Sequence, residues 1–107
     1  MKINFTFRHM DSTEALKGHT EDKLERLKRF EETELDVHVT FEVEKFNKTV
    51  EFTVGAKGHT FVVSETRDDM YEAIDIGVDK LNRQLSRAKS RRKHHKGHQG
   101  AVSEYIG

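Results

Sequence analysis

Apolar side chains occupy every second position in two neighbouring stretches of this chain, and polar side chains fill the positions between them. The apolar positions are Val37, Val39, Phe41 and Val43 in the first stretch and Val50, Phe52 and Val54 in the second. Because successive side chains of a β-strand point to opposite faces of a sheet, a period of two predicts strands with one buried and one exposed face. The polar segment 45–48 between the two stretches predicts a turn.

Shorter alternating runs predict one further strand on each side of this pair. Ile3, Phe5 and Phe7 mark a strand near the start of the chain, and Phe61 and Val63 mark a short fourth strand. The segment before the fourth strand contains two glycines, which is typical of a hairpin connection.

Two other segments show the helical repeat. Asp11, with Glu14 three residues later, resembles the capping box that begins a helix, and this helix should run to about Phe30. Asp68 or Asp69 begins the second helix. The apolar faces consist of Leu16, Leu24 and Leu27 in the first helix and of Met70, Ala73, Ile74, Gly77, Val78, Leu81 and Leu85 in the second.

The predicted order of elements is therefore β-α-β-β-β-α. Each of these elements has one apolar face. All of these faces are buried together when both helices cover the same side of a four-stranded sheet. The sequence predicts a single α+β domain, a two-layer sandwich, over residues 1–93, followed by a flexible C-terminal tail at 94–107. Gly77 inside the second helix should cost about 1 kcal/mol relative to Ala, and close packing against the sheet or the other helix would explain it.

Charged residues are unevenly distributed along the chain, although its formal net charge is zero. Residues 80–98 contain eight lysines and arginines and no acidic residue, whereas residues 1–79 contain eleven basic and eighteen acidic residues. A basic end attached to an acidic body favours a polyanionic partner for the basic end.

The strongest candidate for a binding surface lies on the second helix. Lys80, Arg83, Arg87 and Arg91 project within roughly 80° of one another on a helical wheel. Such a row matches the phosphates along a nucleic-acid backbone, and Lys89 extends the positive region. The alternative is an ordinary solvated helix face, but no acidic residue inside the run forms i,i+4 pairs that would offset the repulsion.

Lys23 and Arg26 on the first helix form a weaker candidate set. Acidic residues are interleaved with them, which favours ordinary surface ion pairing. If the two helices pack side by side, these two cations would join the basic row of the second helix across the groove.

Several classes of function are disfavoured by what the sequence lacks. The absence of cysteine excludes disulfides and thiolate zinc sites and favours a reducing cytoplasm, and no segment is apolar over the length of a membrane span. His94, His95 and His98 cluster in the predicted tail, but a metal site needs several ligands in a fixed geometry, so no metal or other cofactor is expected. Motifs for phosphate-binding loops, dinucleotides, zinc proteases and serine hydrolases are missing, so neither catalysis nor a small-molecule substrate is expected.

The second helix also carries a specific pattern. It reads Asp69-Met70-Tyr71-Glu72-Ala73-Ile74 at its start and continues with Lys80-Leu81 and Arg83-Gln84-Leu85. This pattern resembles the hibernation promoting factor and protein Y family, whose members carry an Asp-Met-Tyr-x-Ala-Ile segment that leads into Lys-Leu-x-Arg-Gln-Leu. Segments 23–27 and 43–45 resemble the family's first helix and the end of its second strand, and the likeness covers about residues 1–93.

The resemblance implies a fold similar to the double-stranded-RNA-binding fold with an extra first strand. It implies a cytoplasmic factor that binds the small ribosomal subunit between head and body, in the sites of messenger and transfer RNA, and contacts ribosomal RNA through basic residues of both helices. Translation would be inhibited and inactive ribosomes stored in stationary phase or under stress. The implied RNA-binding residues are Lys23, Arg26, Lys80, Arg83, Arg87 and Lys89, to which the helical row adds Arg91.

The basic character of the chain up to Lys96 favours the hibernation promoting type, since protein Y members carry an acidic C-terminal tail. The resemblance then implies ribosome modulation factor as a second partner. Two alternatives stay open from the residues alone. One is a general double-stranded-RNA-binding module, and the other is a protein-interaction adaptor whose basic helix docks on acidic protein surfaces.

Overall fold

The computed structural model describes residues 1–32 and 34–93, with side chains as far as Ser90. Within this range the chain forms four strands, two α-helices and one 3₁₀ helix. They are β1 (Lys2–Arg8), α1 (Glu14–Leu24), the 3₁₀ helix (Glu25–Phe30), β2 (Asp36–Glu44), β3 (Asn47–Ala56), β4 (His59–Arg67) and α2 (Met70–Lys93). The predicted tail at 94–107 lies outside the described residues.

The four strands form one sheet in the order β1-β2-β3-β4. β1 and β2 are parallel, which requires a crossover connection, and α1 with the 3₁₀ helix supplies it. The other pairs are antiparallel hairpins, and in the second of them Gly58 adopts a φ of +81°, a conformation that suits glycine. The predicted α+β order is confirmed, whereas the likeness to the double-stranded-RNA-binding fold stays a prediction.

One apolar cluster joins both helices to the same face of the sheet, as predicted. Its buried members are Leu16, Leu24, Leu27, Leu35, Val37, Val39, Phe41, Val50, Phe52, Val54, Val63, Met70, Ala73, Ile74, Val78, Leu81 and Leu85. Of the phenylalanines that the alternation placed in the core, Phe5, Phe7 and Phe61 are only partly buried against this cluster. α2 is amphipathic, and no helix within the described range is long and apolar enough to cross a lipid bilayer.

Helix α2 lies very close to β3 at Gly77. A Cβ atom placed on Gly77 would lie 2.6 Å from Cε2 of Phe52, far inside van der Waals contact. The aromatic ring therefore occupies the space that any side chain at this position would need. This contact provides the close packing that the sequence suggested for a glycine inside a helix.

Four boundaries differ from the sequence predictions. The predicted turn at 45–48 is shorter, because β3 already begins at Asn47. Thr13, and not Asp11, caps α1, because its Oγ1 accepts a hydrogen bond from the amide of Leu16 at 3.0 Å. The predicted first helix reaches Phe30 only as a 3₁₀ helix in its last part. The prediction of a short fourth strand was wrong, since β4 continues to Arg67 with nine residues paired to β3.

Candidate nucleic-acid interface

Helices α1 and α2 lie side by side and are joined by a ladder of polar contacts. His19 Nε2 lies 2.7 Å from Asp75 Oδ1, and Lys23 Nζ lies 3.8 Å from the same oxygen. One turn further, Arg26 Nη1 donates a hydrogen bond to Asp79 Oδ1 at 2.6 Å. Both cations that the sequence singled out on the first helix are thus paired with carboxylates of α2.

Lys80, the first member of the predicted basic row, is paired as well. Its ammonium group contacts the carboxylate of Glu65 on β4, whose side chain is only 5% exposed. Arg67 Nη1 lies 3.0 Å from the other carboxylate oxygen, so two cations neutralise one buried acid. Because an unpaired carboxylate is costly to bury, this arrangement gives Lys80 a role in holding α2 to the edge of the sheet.

Arg83 and Arg87 are the next two members of the row, and both are exposed. Within the described part of the chain, no carboxylate lies within ion-pairing distance of either guanidinium. They are four residues apart on a regular helix, so their side chains project from the same side, about one turn apart. These two residues are called the exposed arginine pair below.

Lys89 and Arg91 are the last two predicted residues, near the end of α2. Lys89 is partly buried, and its Nζ lies 5.9 Å from the ring centroid of Phe30 at the end of the 3₁₀ helix. It forms no ion pair among the described residues. Arg91 belongs to α2, but its side chain lies outside the described range.

The six predicted residues whose side chains are described form two sets: Lys23, Arg26 and Lys80 are paired with carboxylates, and Arg83, Arg87 and Lys89 are not. Asp75 and Asp79, four residues apart, occupy the side of α2 that faces α1, and they hold Lys23 and Arg26 there. By helical geometry Arg83 projects about 40° from Asp79, whereas Arg87 and Lys80 project further round the helix, at about 80° and 100°. The expectation that Lys23 and Arg26 join the basic row across the groove stays a prediction, and in this structure both cations are paired with carboxylates of α2.

Sequence reasoning missed two polar residues that continue the ladder. Arg29 Nη2 donates a hydrogen bond to Asn82 Oδ1 at 3.0 Å, and the Arg29 guanidinium carbon lies 4.6 Å from the centroid of Phe30. Arg26, Arg29 and Asn82 line an open pocket with a volume of about 380 Å³. The sequence contains a spacing that predicts this contact. Arg29 follows Arg26 by three residues and Asn82 follows Asp79 by three, so the two pairs can meet across the helices at successive turns.

The described residues contain no group of three or more histidines and carboxylates placed to hold a metal ion. The histidine cluster at 94, 95 and 98 lies outside that range. Among the described residues, cations beside α2 are paired with carboxylates as far as Lys80, and Arg83, Arg87 and Lys89 beyond it form no ion pair.

Residues 3–93 match the model of the family described as Sigma 54 modulation protein / S30EA ribosomal protein. The chain is 36% identical over 91 residues to a ribosome hibernation promoting factor of Azotobacter vinelandii, a match that covers 85% of both proteins. It is 35% identical over 95 residues to the ribosome hibernation promoting factor of Escherichia coli strain K12, covering 89% of this chain and all of that protein.

Solved structures show the same likeness. The N-terminal domain of Thermus thermophilus protein Y superimposes with a TM-score of 0.76 at 31% identity, covering 82% of this chain and 99% of that one. A ribosomal subunit interface protein from Coxiella burnetii superimposes with a TM-score of 0.75 at 33% identity, covering 84% and 99%. The family match and these relatives together show that the chain belongs to the Sigma 54 modulation protein / S30EA ribosomal protein family, the family of the ribosome hibernation promoting factors and protein Y.

Proposed function

We propose that this protein is a ribosome hibernation factor that binds the ribosome, inhibits translation and catalyses no reaction. Relatives that match over most of their length are named for ribosome hibernation, and one structural neighbour is named for the ribosomal subunit interface. The observation that carries the proposal is the exposed arginine pair, two cations about one helical turn apart with no carboxylate partner among the described residues.

The proposed contact is electrostatic. The guanidinium groups of Arg83 and Arg87 bind backbone phosphates of small-subunit ribosomal RNA and release the counterions held there. Each neutralised phosphate should add about 0.9 to the slope of log affinity against log salt for duplex nucleic acid, and about 0.7 for single strands. Lys89 and Arg91 extend this contact toward the end of the helix.

The paired cations take a different part in the proposal. Lys23, Arg26 and Lys80 must exchange a carboxylate for a phosphate before they can contact RNA. Such an exchange gains less free energy than the recruitment of an unpaired cation, because the lost ion pair offsets part of the new one. The exposed arginine pair should therefore contribute more to binding than these three residues do.

The proposed place of binding is the channel between the head and the body of the small subunit. A packed two-layer domain in that channel excludes messenger and transfer RNA by occupying their sites, so no moving part is needed. The protein acts in the cytoplasm, in stationary phase or under stress, and ribosome modulation factor is proposed as its second partner.

Sedimentation of purified small subunits through a sucrose gradient tests this function. The protein should travel with the subunits, and a bound messenger RNA with initiator transfer RNA should displace it. A plain RNA duplex in equal amount should not compete. Sedimentation with the subunits that the duplex abolishes would instead identify a general double-stranded-RNA-binding module.

A second candidate function follows from the first half of the family's description, which names modulation of sigma 54. Under that alternative the basic side of α2 docks on an acidic surface of a transcription factor. Capture of partners from a cell extract, before and after nuclease treatment, separates the two functions. Partners that survive removal of RNA support the adaptor, and partners that are lost with the RNA support ribosome binding.

A further inference from the structure

Each of the two α-helices contributes a pair of polar side chains to the start of the ladder between them. The pairs are His19 and Lys23 on α1 and Tyr71 and Asp75 on α2, four residues apart in both cases, so that both members face the other helix. His19 Nε2 lies 2.7 Å from Asp75 Oδ1, and the rings of His19 and Tyr71 meet edge to face with their centroids 4.9 Å apart. The tyrosine ring therefore holds the imidazole in a fixed direction toward Asp75.

The contact with Asp75 fixes where His19 can gain a proton. Because a carboxylate only accepts hydrogen bonds, Nε2 of the neutral ring carries the hydrogen, and a second proton is taken up at Nδ1. The titratable groups around the ring are Asp75 and Tyr71 on α2 and Lys23 on α1, and His19 forms no hydrogen bond or ion pair with the described part of the sheet. Histidine is the side chain that ordinarily changes charge between about pH 5 and 8. Acidification in this range therefore adds one positive charge to the groove between the helices.

His19 and Lys23 compete for the same carboxylate oxygen. Lys23 Nζ lies 3.8 Å from Asp75 Oδ1, whereas His19 Nε2 lies 2.7 Å from it. Among the described residues, Lys23 forms no other ion pair. A protonated His19 neutralises Asp75 through the shorter, charge-assisted hydrogen bond and repels the ammonium group of Lys23. Protonation of His19 therefore removes most of the attraction that holds Lys23 to α2.

We propose that His19, Asp75 and Lys23 form a proton-dependent switch that strengthens binding to the small ribosomal subunit as the pH falls. With His19 neutral, Asp75 holds Lys23 between the helices. With His19 protonated, the imidazolium replaces the ammonium group as the partner of Asp75, and Lys23 is released. This inference rests on the proposed function, in which Lys23 must first give up its carboxylate, and it adds the event that releases this cation.

The next contact along the ladder does not respond in the same way. Arg26 Nη1 and Asp79 Oδ1 lie 2.6 Å apart. Neither arginine nor aspartate ordinarily changes charge between about pH 5 and 8, so this ion pair stays closed over the range in which histidine responds. The pH dependence of binding should therefore be removed by a substitution of His19 and not by a substitution of a histidine elsewhere.

The test measures binding to purified small subunits at about pH 8 and about pH 6 for the wild type, His19→Gln and His38→Gln. Glutamine can still donate a hydrogen bond to Asp75 but gains no proton. His38 is the matched control, because it is exposed on β2 and hydrogen-bonds to Thr6 at 2.9 Å, with no carboxylate in ion-pairing distance among the described residues. The gain in affinity at the lower pH should be about three- to fivefold larger for the wild type and His38→Gln than for His19→Gln. Any response of the subunit itself is common to all three proteins and cancels.

The released cation is identified by Lys23→Gln, alone and combined with His19→Gln. Without Lys23 there is no ammonium group to release, so the two variants should show nearly the same pH dependence, and thermal unfolding at both pH values checks that each is folded. Equal gains for the wild type and a folded His19→Gln would overturn the inference alone, and so would an extra gain that persists undiminished in Lys23→Gln. Failure of the wild type to bind small subunits at either pH would overturn the proposed function and this inference with it.

Discussion

Lys80 of α2 forms an ion pair with Glu65 of β4, a carboxylate on the core side of the edge strand. Arg67 completes the pair from the end of the same strand. Burial removes most of the hydration of Glu65, so the two cations replace what water would otherwise supply. A residue that the sequence assigned to RNA contact thus also stabilises the fold.

Lys80→Met should lower the free energy of unfolding by about 1–3 kcal/mol, because Arg67 then remains as the one cationic partner of the buried Glu65 among the described residues. Methionine keeps the apolar stem, so the loss reports the charge. Arg83→Met is the matched control and should change stability by no more than about 0.5 kcal/mol. Urea unfolding measures both, and equal effects would contradict a structural role for Lys80.

Gly77→Ala should destabilise the protein by about 1–3 kcal/mol although alanine favours a helix, because the new methyl group would collide with the ring of Phe52. The control is Gly18→Ala in α1, where the added Cβ would meet no atom within 4 Å apart from its chain neighbours and the nearby backbone of its own helix. That substitution should stabilise the protein by up to about 1 kcal/mol. Thermal or urea unfolding shows the two opposite signs, and stabilisation by both would contradict the close contact between α2 and β3.

Asp79→Asn should strengthen binding to small ribosomal subunits about two- to fivefold, because it releases Arg26 from its ion pair. Glu51→Gln, at an exposed position of β3, makes the same change in net charge and should have no comparable effect. In an Arg26→Gln background the benefit of Asp79→Asn should disappear. If Asp79→Asn and Glu51→Gln act alike, only net charge matters and the pairing of Arg26 does not limit binding.

The amino group of Met1 lies 2.5 Å from Glu31 and 3.2 Å from Glu34. Its hydrogen bond to Glu31 raises the pKa of the amino group above the ordinary 8.0, and the same contact lowers the pKa of Glu31 below 4.5. The raised amine pKa gives stability that is complete below pH 8.0 and is lost as the pH rises through the folded value. The lowered carboxyl pKa gives stability that is complete above pH 4.5 and is lost as the pH falls through the folded value.

Glu31→Gln should therefore reduce stability most between pH 4.5 and 8.0, and the difference from the wild type should shrink on both sides of that window. Urea unfolding at about pH 3, about pH 6.5 and about pH 10 measures this difference. Glu21→Gln, at an exposed position of α1, is the control and should show no maximum there. A difference between wild type and Glu31→Gln that does not change with pH would contradict the proposed linkage.

The periodicity of apolar residues was sufficient to predict the architecture, because nearly every apolar residue follows the repeat of its own helix or strand. Phe41 and Phe52 alternate within strands, Ile74 and Leu81 recur at helical spacing, and all four are buried. Local capping was harder to predict, since Asp11 and Thr13 are both good caps and only the path of the chain after β1 decides between them.

The candidate site was less predictable, because it depends on which residues face each other across elements. A helical wheel places the basic residues of α2 relative to its own apolar face, but it does not show that Asp79 meets Arg26. Glu65 was missed because the fourth strand was predicted to end soon after Val63. Continuing the same alternation by two residues would have placed this carboxylate on the core side.

Charge reversal of the exposed arginine pair tests the central claim most directly. Arg83→Glu with Arg87→Glu should weaken binding to small subunits by more than about a hundredfold and reduce the salt slope by about 1.4 to 1.8, with unchanged unfolding. The matched control is Lys45→Glu with Lys48→Glu, one residue in the β2–β3 turn and one at the start of β3, where Lys48 lies opposite Arg67 in the strand register. This control should bind nearly as the wild type does, and an arginine variant that is folded and still binds like the wild type would contradict the account.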